Sequence, residues 1–265
     1  MQKTLISIIG STGIGKTKLA IEMAKHFGTE IISCDSRQFF KEMKIGTATP
    51  TDEELAQAKH HFIGHLSVQD YYSIGQYEED ALEKIEEIFE KNDFAVLVGG
   101  SMMYEKAVVE GLNDLPEANA ENQEKLQKIL DEEGLEKLQE ILKNLDEEYY
   151  NVVHKENPRR LLRAIDVIWQ TGRKYSEIIA EPKHKRDFKV IRIGITAPRE
   201  IMYERINLRV DKMLEKGLID EVKSLTEYQK LVPLQTVGYT EIFKYLEGTW
   251  DLDFAIEEIK KNSRR

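Results

Sequence analysis

The sequence predicts an α/β fold, a parallel sheet flanked by helices, with a helical insertion and a helical C-terminal portion. Three observations predict it. Short apolar runs alternate with helical patterns through residues 1–112, as strands joined by crossover helices do. The first apolar run leads straight into a glycine-rich loop that opens a helical pattern. Strand character then returns at Val190–Ile195, nearly a hundred residues after the preceding strand, so a segment is inserted between them.

The elements follow in order. Leu5–Ile9 is an unbroken apolar run and reads as a buried strand. Lys16–Phe27 carries Leu19, Ala20, Met23, Ala24 and Phe27 on one helical face. Ile31–Ser33 is a short second strand and Ile74–Phe89 an amphipathic helix; Phe94–Val98 is a third strand, ending at Gly99-Gly100, and Val190–Ile195 a fourth. After Pro116, Leu126, Ile129, Leu130, Leu135, Leu138, Ile141, Leu142 and Leu145 recur at three- and four-residue spacings, interrupted by Gly134. A further helix, Arg159–Gln170, stops at Thr171-Gly172. The expected division is a core at 1–114, an insertion at 115–150 and a segment at 151–265 that returns to the sheet. Trp169 and Trp250 sit among apolar helical positions and read as core.

Composition limits the function classes. A chain of 265 residues with 41% hydrophobic residues can bury a large core. The single cysteine, Cys34, excludes an intramolecular disulfide framework, and no Cys/His spacing suits structural zinc, which points to a reducing cytoplasm. The opening MQKTLISIIG is too short an apolar run to span a membrane. A net charge of −10 argues against a generic polyanion binder, but the charge is segregated. Residues 113–150 hold 12 acidic and 4 basic side chains, whereas residues 151–215 hold 15 basic and 9 acidic. The segregation leaves room for a basic face.

Gly10-Ser11-Thr12-Gly13-Ile14-Gly15-Lys16-Thr17 matches the P-loop pattern at every fixed position, between a strand and a helix, and makes the expected fold P-loop NTPase-like. Glycines let successive N–H groups converge on phosphate oxygens at a helix start. Lys16 adds a cation and Thr17 offers a hydroxyl to Mg²⁺. Asp35 follows the second strand at the edge where ligands bind in open sheets; it reads either as a base or as a cap bonded to its own backbone. The third strand ends in glycines where many NTPases carry a magnesium-associated aspartate, which disfavours a motor-type ATPase or GTPase. His60, His61 and His65 lack an acidic partner at ligand spacing and read as structural or substrate-lining. Cys34 reads as a small buried residue.

GSTGIGKT, CDSRQFF, GTATP, HHFIGH, VGGSMMYEKAVVEGL, NPRRLLRAIDVIWQTGRKYSE, ERINLRVDKMLEKGLIDEV and QTVGYTEIFKYLEG together resemble the tRNA dimethylallyltransferase family, in the family's order and across nearly the whole chain. The resemblance implies transfer of a dimethylallyl group from dimethylallyl diphosphate to the exocyclic amine of the adenosine beside the anticodon, with Mg²⁺. The P-loop would grip the departing diphosphate, with Lys16 among the catalytic groups and Thr17 on the metal. Asp35 would take the proton from the amine, and Ser36, Arg37 and Gln38 would contact the tRNA anticodon stem-loop. Ser101 stands where the family usually has threonine; it reads as a hydroxyl near the reacting centre and at the RNA, or as a cap for the next helix.

Arg159, Arg160, Leu161, Leu162 and Arg163 match the family's tRNA-contacting helix, although exposed arginines are often only a solvated face. Arg205 and Arg209, four apart on one helix face, are expected at the diphosphate or the RNA backbone. A monomer is expected. The resemblance implies that family members run on past the equivalent of Lys260 into a basic, aromatic stretch that helps hold tRNA; if part of the affinity comes from that stretch, this sequence is expected to bind tRNA more weakly while keeping the catalytic residues. An adenylate isopentenyltransferase, a P-loop small-molecule kinase and a non-catalytic nucleotide-dependent RNA switch stand as alternatives.

Overall fold

A computed structural model describes residues Gln2–Arg264. The chain divides into two compact units, one formed by residues 1–109 with 186–265, the other by Glu110–Lys185.

The first unit is built on a five-stranded parallel sheet of order β3-β2-β4-β1-β5. Its strands and helices run β1 (Thr4–Gly10), α1 (Lys16–Phe27), β2 (Ile31–Ser33), α2 (Asp52–Leu55), β3 (His60–His61), α3 (Ile74–Lys91), β4 (Phe94–Val98) and α4 (Met102–Glu110). Alternation along the inner strands gives each face its own core. Ile6, Ile8, Ile31, Val96 and Val98 pack against Ala20, Ile21 and Ala24 of α1. Leu5, Ile32, Ala95 and Leu97 face the other way, toward Tyr77, Ala81, Ile85 and Ile88 of α3. Runs that read as continuously apolar are therefore strands buried on both sides.

Register fixes the working edge. Ser33 of β2 pairs with Val98 of β4, which pairs with Ile8 of β1. All three strands run parallel, so the loops that leave them emerge side by side. The expected four strands become five because β3 is only two residues long, too short to show a period; it pairs Ile31 with His60 and Ile32 with His61. His61 Nε2 lies 2.5 Å from Glu30, and His60 Nδ1 donates to the Ala58 carbonyl at 2.8 Å.

The second unit holds α5 (Ala120–Glu133), α6 (Leu135–Leu145), α7 (Glu147–Val152), α8 (Pro158–Thr171) and α9 (Tyr175–Ala180). Leu126, Leu138 and Leu142 share one core with Leu161, Ala164, Ile165 and Ile168. This shared core is why the unit extends beyond the expected 115–150, taking in α8 and α9. Trp169 corrects its assignment to the core: it is 39% exposed, because it follows the buried stripe of α8 onto the solvent face. Trp250, half-buried, packs edge-on to Phe254 with Lys244 over its ring.

The chain returns through the edge strand β5 (Lys189–Ile195), paired with β1, into α10 (Arg199–Glu215), α11 (Leu218–Ser224), α12 (Tyr239–Leu246) and α13 (Leu252–Ser263). Among the described residues no helix is long and apolar enough to cross a membrane.

Candidate active site

The glycine-rich loop takes the backbone path its motif requires. Gly13 and Gly15 have φ of +76° and +103°, a region costly for residues with a Cβ, and Gly15 leads directly into α1. Lys16 Nζ folds back to donate to the carbonyls of Gly10 and Ser11, each at 2.9 Å. Ile14 is buried and anchors the loop, while its carbonyl accepts Arg205 Nη1 at 3.1 Å. Thr12, Gly13, Gly15, Lys16 and Thr17 line a cavity of about 830 Å³ that also meets Asp35, Gln38, Arg205 and Arg209.

Asp35 lines the same cavity, just past the end of β2. Its Oδ1 accepts the backbone N–H of Arg37 at 3.2 Å, and among the described residues no cation lies within ion-pairing distance. The cap-like turn and the open carboxylate thus coexist, one oxygen tied to the backbone. The close approach of β4 secures this position. A Cβ on Gly99 would sit 2.5 Å from the Cys34 carbonyl carbon and 2.7 Å from the Asp35 nitrogen, so only glycine fits there. Cys34 is fully buried, and burial raises its thiol above its ordinary value, which removes it as a nucleophile.

Ser101 precedes α4 and is tied to the Asp35 loop: its Oγ accepts the Ser36 N–H at 3.1 Å and lies 2.9 Å from Ser36 Oγ. Helix α4 is itself fixed by Glu105, a buried carboxylate that accepts from Ser7 Oγ at 2.8 Å and Arg192 Nε at 2.9 Å. Gln38 Nε2 donates to the carbonyls of Thr47 and Ala48 at 3.2 and 3.3 Å, and Arg37 Nη1 to that of Val232 at 3.2 Å.

The two arginines of α10 separate. Arg205 is exposed and binds the P-loop; Arg209 is half-buried and donates from Nη2 to the Thr47 carbonyl at 3.1 Å. Burial lowers Arg209, with Asp35 opposing, and burial lowers Lys16, again opposed by Asp35. Lys18, Lys44, Lys212 and Lys216 line the same cavity; with Lys16, Arg205 and Arg209 they outnumber its carboxylates, Asp35, Asp52, Glu53 and Glu54, leaving a net positive lining suited to a diphosphate. Sequence reasoning assigned none of these four lysines; Lys18 lies beside the P-loop, Lys44 just before GTATP, and Lys212 and Lys216 within ERINLRVDKMLEKGLIDEV, which were the available signals.

A second cavity, about 260 Å³, shares Thr12, Asp35 and Arg209 with the first and adds Arg37, Thr236, Val237 and Gly238. Asp35 therefore borders both spaces.

In the helical unit, Arg159 and Arg160 are exposed on α8 and Leu162 is half-buried. Leu161 is fully buried in the unit's core, which corrects its assignment as an RNA contact. Arg163 is engaged within the unit, with Asp166 Oδ2 at 3.2 Å and the Pro116 carbonyl at 2.5 Å.

The chain is similar to known proteins over its whole length. The profile of the IPP transferase family matches residues 38–265. The chain is 51% identical over 265 residues to the tRNA dimethylallyltransferase of Christiangramia forsetii, covering 100% of this chain and 88% of that one. It is 47% identical over 261 residues to tRNA dimethylallyltransferase 1 of Bacteroides thetaiotaomicron, covering 98% and 85%. Among solved structures, the full-length tRNA isopentenylpyrophosphate transferase of Bacillus halodurans aligns with a TM-score of 0.70 at 35% identity, covering 100% of this chain and 84% of that one. A eukaryotic dimethylallyltransferase captured acting on tRNA aligns at 0.84 with 28% identity, covering 99% and 67%. By this similarity over its whole length, the chain belongs to the IPP transferase family.

Proposed function

We propose that this protein transfers a dimethylallyl group from dimethylallyl diphosphate to the N6 amine of the adenosine 3′ of the anticodon in tRNA, releasing diphosphate. One observation carries the reading: Asp35 and the P-loop border a single cationic cavity, with glycines at the end of β4 where an ATPase would carry its metal-associated carboxylate. The pair suits a diphosphate that departs from carbon.

In the step, the adenosine nitrogen bonds to the allylic carbon as the carbon–oxygen bond to diphosphate breaks, and Asp35 accepts the amine proton. Charge growing on the diphosphate meets preorganised P-loop N–H groups, Lys16 and Arg205, with Arg209 deeper in the cavity. A Mg²⁺ ion fits the hard oxygen set of the Thr17 hydroxyl and the diphosphate oxygens, and would supply further charge neutralisation when bound. Ser101 holds Ser36 and so the path of the loop Asp35–Gln38. The target base reaches Asp35 by leaving its stack, which confines the reaction to accessible loop nucleotides. Arg159 and Arg160 are exposed cations for RNA phosphates. On this reading the protein acts as a monomer in the cytoplasm.

Incubation with unmodified tRNA and labelled dimethylallyl diphosphate, with Mg²⁺ present or chelated, tests the reading. Label is expected on a single adenosine by nucleoside mass analysis, with metal dependence. Transfer to AMP in preference to tRNA, or ADP formation from ATP with a small acceptor, would overturn it.

A further inference from the structure

Residues 44–49 form an irregular turn whose conformation is set from outside the cavities. Glu221 of α11 gathers three consecutive backbone N–H groups: its Oε2 accepts from Lys44 at 3.0 Å and Ile45 at 2.7 Å, and its Oε1 from Gly46 at 2.9 Å. The Tyr239 hydroxyl donates to the same Oε1 at 2.7 Å. Converging backbone N–H groups of this kind form a site for an anion, and here a protein carboxylate fills it. Gly46 is packed so tightly that a Cβ would lie 2.5–2.7 Å from the Tyr239 ring and hydroxyl. Burial and the neighbouring Glu221 carboxylate both raise the Tyr239 phenol, so it stays a proton donor.

The far side of the turn meets the reactants' neighbours. The Thr47 carbonyl accepts both Gln38 Nε2 and Arg209 Nη2, at 3.2 and 3.1 Å, and the Ala48 carbonyl accepts Gln38 Nε2 at 3.3 Å. Ala48 holds φ of +45°, a conformation that costs a residue with a Cβ energy and needs its surroundings to impose it. Glu221 and Tyr239 line neither cavity.

We propose that Glu221, seconded by Tyr239, is a positioning residue for prenyl transfer: by fixing the 44–49 turn it aims the Thr47 and Ala48 carbonyls that hold Arg209 in the diphosphate cavity and Gln38 beside Asp35. This rests on the function proposed above. Removing the carboxylate leaves three N–H groups competing for water, and the turn loses its single conformation.

The test uses the full chain with Glu221→Gln, Glu221→Ala and Tyr239→Phe. Steady-state kinetics are normalised to folded protein, and dimethylallyl diphosphate affinity is measured by calorimetry without tRNA. Glu221→Ala should weaken that affinity about tenfold or more, the scale of hydrogen bonds to a charged group. Glu221→Gln, with one acceptor retained, should fall between it and wild type, and Tyr239→Phe should show about a two- to fivefold loss. Combining Glu221→Gln with Arg209→Ala should weaken binding no further than Arg209→Ala alone. Full additivity, or an unchanged KM and kcat per folded molecule, would overturn the proposal. If Glu221→Ala does not fold, Glu221→Gln and the double variant decide. Should wild type bind the allylic diphosphate yet transfer nothing to tRNA, the functional reading fails, while the affinity measurements still decide the role of Glu221.

Discussion

Asp35 and Lys16 line one cavity and ask for opposite properties of their surroundings. Asp35 keeps one oxygen bonded to the Arg37 N–H and has no ion-pair partner among the described residues, so it can accept a proton from the weakly nucleophilic aryl amine. Asp35→Ala should lower single-turnover transfer about 10²–10⁴-fold, the usual worth of a general base, with tRNA affinity within a few-fold of wild type. A tenfold loss of binding with normal turnover at saturation would remove the assignment. For Lys16, burial favours the neutral amine, so its charge is lost at a lower pH than that of a free lysine. Affinity for dimethylallyl diphosphate should weaken as pH rises toward the ordinary lysine range of about 10.4, and a Lys16→Arg variant should show a flatter profile. Calorimetry across that range checks the sign, and an affinity constant to the upper end would contradict it.

At the scale of elements, the site exists because three adjacent parallel strands each end in a loop that does one task. β1 leads into the glycine-rich loop, β2 into Asp35, and β4 into the glycines that let β2's loop come close. α4 then locks the arrangement through Ser101 at its start and Glu105 one turn on, the latter joined to β1 and β5 through Ser7 and Arg192. Ser101→Ala removes an acceptor from the Ser36 N–H and should reduce turnover about 2- to 13-fold, the equivalent of one net hydrogen bond. Ser101→Thr retains the hydroxyl and should keep most of the activity. Equal losses in the two variants would assign the effect to packing. The strand ends were legible in the sequence because Leu5–Ile9, Ile31–Ser33 and Phe94–Val98 are apolar runs cut off by glycine or polar residues. β3 was not, since two residues carry no periodicity and His60–His61 takes strand form only by pairing with β2.

For the whole molecule, exposed cations occur in both units although the chain is acidic overall. A cationic cavity lies in the first unit, and the exposed pair Arg159 and Arg160 lies in the helical unit. If that pair neutralises RNA phosphates, replacing both by alanine should weaken tRNA binding and reduce the slope of log affinity against log salt by about 1.4–1.8. Affinity for the allylic diphosphate should not change; titrations at several salt concentrations measure both, and an unaltered slope would exclude the contact. Sequence by itself determined the P-loop, the position of Asp35, the order of the main strands and the family resemblance, because these rest on local backbone chemistry and on spacing along the chain. Tertiary structure alone decided which polar groups meet. It placed Arg205 on the loop and Arg209 on the Thr47 carbonyl, turned Leu161 into the core, left Trp169 exposed, and brought Glu221 to the backbone of residues 44–46 from some 175 positions away. Periodicity tells which face of a helix is apolar; only the packed neighbour determines what a polar side chain on the other face will touch.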